Sequence, residues 1–466
     1  MANKKTKTAA GARIGAELGK RKRDELLGRL GPHFARVEAF LQARAYVLAV
    51  MSGLLSRNGW SIAEFIGDKT PDKTQRLLNR ASWDTPAAMS DVRRFAVEGL
   101  DEAAAKRRRR RGRIRVGALD ETGQEKKGES TAGVKRQHMG CADGVANGIN
   151  TVHLSYVREK VGHALIGFRQ WIPEEQVKDV RAVLRMALPL TLKFLTKGEL
   201  AIEILREACA DGIFFDFICG DEVYGSCTRL REYLESVRQA YVLRVRKNFY
   251  LTFRGGSVLT CEDAVKKMLR PGNWEVRSAG RGTKGERWYA WAWIQVDDRH
   301  CLLVRRHLKG GDLAFHYCYL PAGQRVAMSR LVRAAGLRWP VEEGFEFSKD
   351  CFGLDQSQVR LYHAIARHTV LVMAALAVCA VTAALLGDRT DTQTERPTSP
   401  DQSAPADCGL VPLSVPEIGR LLASHPPYCS GHAEHWSEFR RRHQARACWY
   451  HQRARLARSY EMSQAS

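Results

Sequence analysis

Three acidic residues sit where acids can do chemistry. Asp120 closes the run "IRVGALD", Asp221 closes "FFDFICGD", and Glu342 lies in "RWPVEEGFEF", just after a proline. Carboxylates are hard oxygen donors suited to magnesium, which keeps open positions for substrate phosphates. Two such ions about 3.5–4 Å apart can activate an attacking oxygen and stabilise the leaving one. Three carboxylates without a histidine or cysteine ligand suit that chemistry. Each acid also has an ordinary role. Asp120 can open a turn, Asp221 can belong to a strand-to-helix loop, and Glu342 can complement a helix dipole behind a first-turn proline. Taken singly, the ordinary role is the better account of each. Their order along the chain shifts the balance, and that order depends on the elements that carry them.

"IRVGALD" reads as a strand ending at Asp120. "INTVHLSYV" and "HALIGFRQWI" read as two more, joined by "REKVG" in a hairpin. Helix is expected from about Pro173 to Gly212, with a break near Lys197. "FFDFICGD" is a nearly continuous apolar strand, the pattern of burial on both faces. "TRLREYLESV" reads as a helix and "AYVLRVRK" as the next strand. Residues 248–322 break this order with "ERWYAWAWIQV", "HCLLVRRHL" and "LAFHYCYLP", a β-rich insertion. Helices resume with "RVAMSRLVRAAG" and "PVEEGFEFSKDCFG". Ligand sites in open α/β sheets gather beyond the carboxyl ends of strands, so acids distant in sequence can meet there.

The charge balance points the same way. Lys and Arg number 74 against 51 Asp and Glu, a net +23. That excess favours a polyanionic partner, nucleic acid or an anionic membrane surface, with binding that weakens steeply in salt. At 466 residues and 44% hydrophobic content the chain has room for two or three globular domains. The 12 cysteines form no C-x-x-C pair, so a zinc ribbon or a thioredoxin-type motif is not indicated. The basic N-terminus lacks an apolar signal core, and reduced thiols in a cytoplasmic protein are expected. The uncharged stretch 369–386 approaches the roughly 20 residues of a membrane span. A helix apolar all round also suits the interior of a large fold; burial is expected, and no membrane.

The pieces "LDETGQEKKG", "GVKRQHMG", "HALIGFRQWIPEE", "GDEVYG" and "RWPVEEGFEFSKDCFGLDQSQVR" resemble the DDE transposases of bacterial insertion sequences. The likeness is to the cut-and-paste group with a tyrosine-arginine-glutamate-lysine signature, and it runs from about Leu27 to Arg455. It implies an α/β fold: a ribonuclease H-like core, with a mixed sheet flanked by helices. A β-rich insertion would precede the last catalytic helix, and an α-helical domain would stand at the N-terminus. The boundaries expected are a basic flexible tail (1–24), a helical DNA-binding domain (25–113) and the first part of the core (114–247). The insertion (248–322), the last core helices (323–386), a flexible linker (387–409) and a basic tail (410–466) follow.

The resemblance implies Asp120, Asp221 and Glu342 as a catalytic, metal-binding triad for two magnesium ions, with manganese able to substitute. In the signature spacing Y-(2)-R-(3)-E-(6)-K, Arg338, Glu342 and Lys349 fit, while Ala335 stands at the tyrosine position. Arg338 and Lys349 would position phosphates. At about 100° per residue, Glu342 and Lys349 share a helix face beside a core stripe of Val341, Phe345 and Phe352. Glu343 points about 100° away. The activity implied is cleavage of the element's inverted-repeat ends and joining of the 3′-hydroxyls to target DNA. Double-stranded DNA would be the partner, two copies would act as a homodimer, and no small-molecule substrate is implied. The setting would be the bacterial cytoplasm, at the nucleoid. A domesticated non-catalytic DNA-binding protein and a structure-selective nuclease are the alternatives.

Other clusters are weighed beside this. "KRRRRRGR", with Arg107 and Arg108, can grip a DNA backbone or form a solvated linker. Lys126, Lys127 and Arg136 in "KKGESTAGVKRQ" can cradle DNA or decorate a mobile hairpin tip. Trp288, Tyr289, Trp291 and Trp293 can include a base-stacking ring, but alternation by two gives an aromatic core face more simply. Cys429, His432, His435, His443, Cys448 and His451 match no common zinc module; a basic helix with incidental histidines is expected. Asp355 reads as a loop or helix-end acid.

Overall fold

The computed structural model describes residues 2–68, 70–107, 113–282, 285–324, 326–387, 397–423, 438, 441–442 and 444–457. Its organising element is a ten-stranded mixed sheet. The strands are β1 (Arg115–Glu125), β2 (Lys135–Met139), β3 (Gly144–Arg158), β4 (Gly162–Gln170), β5 (Phe217–Gly220) and β6 (Tyr241–Val245). A separate hairpin, β7 (Tyr250–Thr252) and β8 (Val258–Thr260), precedes β9 (Glu275–Gly282), β10 (Gly285–Gln295), β11 (His300–Arg306) and β12 (Leu313–Tyr319). The order is β2-β3-β1-β5-β6-β12-β11-β10-β9, with β4 also on β3. β1 pairs antiparallel with β3 and parallel with β5, and β5 pairs parallel with β6.

Two expectations about strands change. Asp120 does not end its strand: β1 continues through "ETGQE", because β3 pairs with it as far as Glu125 opposite Gly148. The polar half of that ladder stands at the margin of the core, so its residues are not apolar and the sequence pattern fades. "GVKRQHMG" holds the short strand β2, whose Arg136 lies opposite Asn147. Apart from the β7–β8 hairpin, the β-rich insertion joins the central sheet. Its last strand, β12, pairs antiparallel with β6, so β9 to β12 extend the central sheet.

Helices cover the sheet. The N-terminal group is α1 (Ala2–Leu30), α2 (Val37–Met51), α3 (Gly59–Phe65), α4 (Asp72–Asn79) and α5 (Thr85–Lys106). The basic tail expected over residues 1–24 is helical from Ala2. Alanine, lysine and arginine are all strong helix formers, and Ala12, Leu26, Leu27 and Leu30 are buried. One apolar core runs from Ala12 through the sheet to Leu422, so the boundary expected at 113 does not divide two cores. Between β4 and β5 come α6 (Glu174–Lys178), α7 (Val180–Met186) and α8 (Lys197–Ala210). The expected break is thus a loop over 187–196, and α8 starts at Lys197 behind a capping box of Thr196 and Glu199.

The remaining helices are α9 (Glu222–Gly225), α10 (Thr228–Ser236), α11 (Cys261–Met268), α12 (Met328–Gly336), α13 (Pro340–Asp350), α14 (Tyr362–Leu386) and α15 (Val415–Ala423). The uncharged stretch forms α14, buried along nearly its whole length against α5, α1 and β4. Such a helix is apolar on all sides because every side meets the core. Of the expected linker, 388–396 lies outside the described residues. So do Arg108, Cys429, His432, His435 and His443.

Candidate functional site

Strand alternation sends neighbouring side chains to opposite faces, and β1 uses this at Asp120 and Glu121. Asp120 reaches Arg338, in the turn before α13; the Nη1 group donates to Oδ2 at 2.8 Å. The same guanidinium donates through Nη2 to Glu342 Oε1. One arginine thus holds together two carboxylates brought from the sheet and from the first turn of α13. Pro340 starts that helix at a position where a missing N–H is harmless. Val341 and Phe345 are buried, as helical spacing implies, and so is Phe352 in the turn past the helix end. Glu343 turns away from Arg338 and lies 3.8 Å from the Nε2 of His163.

Asp221 follows β5 directly. Its Oδ1 accepts from the backbone N–H of Val223 at 2.9 Å, capping α9. Burial pushes its carboxyl above the usual range, and the negative charge of Glu121 adds to the shift. At Asp120 burial raises the carboxyl to about 7. Arg338 opposes that rise, while the charges of Asp221 and Glu121 reinforce it. Among the described residues no three His, Cys, Asp or Glu side chains are gathered closely enough to hold a metal ion. The donor set is nevertheless all oxygen, and Asp120 and Glu342 already share one positive group. Such a pair would suit a hard cation.

Glu121, next to Asp120 in β1, has partners that sequence reasoning missed. Lys197 Nζ lies 2.5 Å from its Oε1 and the Tyr224 hydroxyl donates to Oε2 at 3.1 Å. Lys197 opens α8 and Tyr224 lies in α9, so the contact ties two helices to β1 beside the acids. Neither residue has a local signal, because each is recruited from another element.

The basic residues separate into groups. Lys349 lies in the last turn of α13 and lines a small cavity with Thr122, Gln124 and Asp355. Lys126 is held by the fold: its Nζ donates to the Ser357 carbonyl, and burial lowers its ammonium to about 8. Lys127 and Arg136 are exposed on and beside the β2–β3 edge. Arg107 closes α5 and donates to the carbonyls of Lys160 and Ala384. Asp355 is a loop acid whose charge faces Lys126. Of the four aromatics in β10, Trp291 is buried, Tyr289 half-buried, and Trp288 and Trp293 exposed.

The family model of DDE superfamily endonucleases matches residues 29–281, and that of the transposase DDE domain matches residues 196–378. The chain is similar to the "Probable transposase for insertion sequence element IS701" of Microchaete diplosiphon. The two are 25% identical over 219 residues, 47% of this chain and 52% of that protein. The chain spans about half the length of this curated relative. Among solved structures it is similar to a piggyBac transposase synaptic complex with hairpin DNA. The TM-score is 0.42 at 11% identity, over 88% of this chain and 79% of that one.

Proposed function

The chain belongs to the DDE superfamily endonucleases, and from that premise we propose that it is the transposase of an insertion sequence. It binds the inverted-repeat ends of its element as double-stranded DNA and hydrolyses a phosphodiester at each end. The freed 3′-hydroxyls then attack target DNA in line. The observation that carries this reading is the pairing of Asp120 and Glu342 through Arg338, with the charge of Asp221 felt at Asp120. The strand order β4-β3-β1-β5-β6, antiparallel and then parallel, supports a ribonuclease H-like core. Asp120, Asp221 and Glu342 would hold two divalent ions, magnesium or manganese, which when bound supply activation of the attacking oxygen and stabilisation of the leaving one. Arg338 and Lys349 hold phosphate oxygens, and the Lys197–Glu121–Tyr224 contact fixes the β1 backbone beneath Asp120. Two copies act together in the bacterial cytoplasm, one at each end.

The test mixes the full chain with DNA carrying the inverted repeats that flank its coding region, with and without magnesium. Cleavage at the repeat ends in magnesium, absent in chelator, is expected. Binding without cleavage would leave only a DNA-binding protein, and cleavage set by branched structure would make it a nuclease.

The two lysines of "EKKG" should part company in the same binding assay. Lys127→Ala should weaken DNA binding and lower the slope of log affinity against log salt by about one, the loss of one phosphate contact. Lys126→Ala should leave that slope unchanged and lower stability in urea by about 1 kcal/mol, the worth of one intramolecular hydrogen bond.

A further inference from the structure

A second basic site lies on the sheet beside Arg338. His316 of β12 stands opposite Arg244 of β6 and opposite Leu303 of β11. Arg305, two residues along from Leu303, stands opposite Trp291 of β10. By strand alternation these side chains share one face, and with Arg287, Tyr289 and Arg338 they line a single cavity. Four arginines and a histidine therefore meet in one place.

Their partners are unequal. Arg244 has Glu222 at 2.8 Å. Arg338 has Asp120 and Glu342. Arg287 donates to the carbonyls of Ala279 and Gly336 at 3.1 and 3.0 Å. Gly336 lies so close that a Cβ there would meet the Ala279 carbonyl at 1.9 Å, which keeps this wall fixed. Arg305 stacks over the Tyr289 ring at 4.5 Å but has no carboxylate or carbonyl partner among the described residues. Burial lowers its guanidinium pKa, and Arg244, Arg287 and Arg338 lower it further. His316 is 7% exposed, and its Nδ1 is buried without a hydrogen-bond partner. A half-buried cation crowded by like charges, beside a buried ring nitrogen without a partner, lacks an anion.

We propose that this cavity is a phosphate-binding site, built by β6, β10, β11 and β12 around Arg305 and His316, that takes a phosphate group of the bound DNA strand. The planar guanidinium of Arg305, held by Tyr289, presents paired N–H donors to two phosphate oxygens, and His316 adds a further bond in the tautomer that carries its proton on Nδ1. The inference rests on the reading of the chain as a DNA-cleaving enzyme. Arg338 lines both this cavity and the carboxylate site, so a phosphate held here fixes the strand next to the acids. The group is either an internal phosphodiester or a terminal 5′-phosphate; both offer the same oxygens.

The experiment measures binding without turnover. The full chain in chelator is titrated by fluorescence anisotropy against short duplexes of the repeat end, with a 5′-phosphate or a 5′-hydroxyl, over a salt series. Arg305→Gln should weaken binding about tenfold and lower the salt slope by about one, while Arg305→Lys recovers part of the loss. Arg254→Gln, on an exposed residue of the same insertion, is the control. A loss confined to 5′-phosphorylated duplexes assigns a terminal phosphate, and the same loss on both assigns an internal one. Unchanged affinity in Arg305→Gln, or an equal loss in Arg254→Gln, overturns the site; thermal unfolding of each variant checks that it is folded. Failure of the wild-type chain to cleave its ends would overturn the transposase reading alone. Cleavage together with unchanged Arg305→Gln binding would overturn the phosphate site alone.

Discussion

Asp120→Asn should abolish cleavage of the repeat ends, by about a thousandfold or more, and leave the protein folded and bound to DNA. The size follows from the charge. One preorganised donor in an active site is commonly worth about 10²–10³ in rate, and an ionised carboxylate that holds a cation contributes more than a neutral donor. Asparagine keeps the shape of the side chain and removes only the charge. Stability should change little, because burial and the neighbouring acids already raise the Asp120 carboxyl to about 7. The metal-free fold thus favours the neutral form of this group, and removing its charge relieves repulsion from Asp221 and Glu121. Arg338 keeps Glu342 as a partner. The measurements are single-turnover cleavage in magnesium, anisotropy binding in chelator and thermal unfolding. Cleavage within tenfold of wild type would remove Asp120 from the site. Lost binding or a collapsed melting temperature would make it structural.

Much of this site was legible because it depends on short periods. Pro340 sets the start of α13, and a seven-residue spacing puts Glu342 and Lys349 on one face. Val341 and Phe345 are buried as the 3.6-residue repeat requires, and Phe352, in the turn just past the helix, is buried with them. Within "FFDFICGD" the strand is only Phe217–Gly220, fully buried and followed at once by Asp221, because a strand covered on both faces must be apolar throughout; Phe214 is exposed ahead of it. What was not legible depends on pairing between distant segments. Nothing in "LAFHYCYLP" says that it lies against β6, so the sequence shows a β-rich insertion but not that it extends the central sheet. Arg305 and His316 come from different strands and meet only through the register of β11 and β12. The polar half of β1 was lost for another reason: alternation marks a strand only where one face is buried, and beyond Asp120 no residue of β1 is fully buried. Charge misled at the N-terminus, where a basic stretch suggested a loose tail. Helix propensity and a buried face at Ala12, Leu26 and Leu27 win there.

Arg338→Met should separate metal affinity from catalysis, moving them in opposite directions. In the metal-free protein the guanidinium bonds Asp120 and Glu342 together, so a divalent ion using those carboxylates must displace it or share them. Methionine keeps much of the apolar stem and removes the competing charge. Binding of manganese without DNA should then tighten, by about tenfold if roughly 1.4 kcal/mol of the arginine's attraction opposes the ion. The metal-free variant should lose stability in urea by only about 1 kcal/mol, because the part-exposed Glu342 loses its partner while Asp120 takes up a proton, and manganese should restore it. Cleavage should fall about a hundredfold even at saturating metal. Arg338 also lines the cavity of Arg305 and His316, so its loss leaves a DNA phosphate unheld beside the acids. Calorimetric titration with manganese, urea unfolding with and without the ion, and cleavage at saturating metal give the three readings. Weaker manganese binding in the variant would show that Arg338 supports the metal site from outside, and that the clamp seen between Asp120 and Glu342 does not occupy the ion's place.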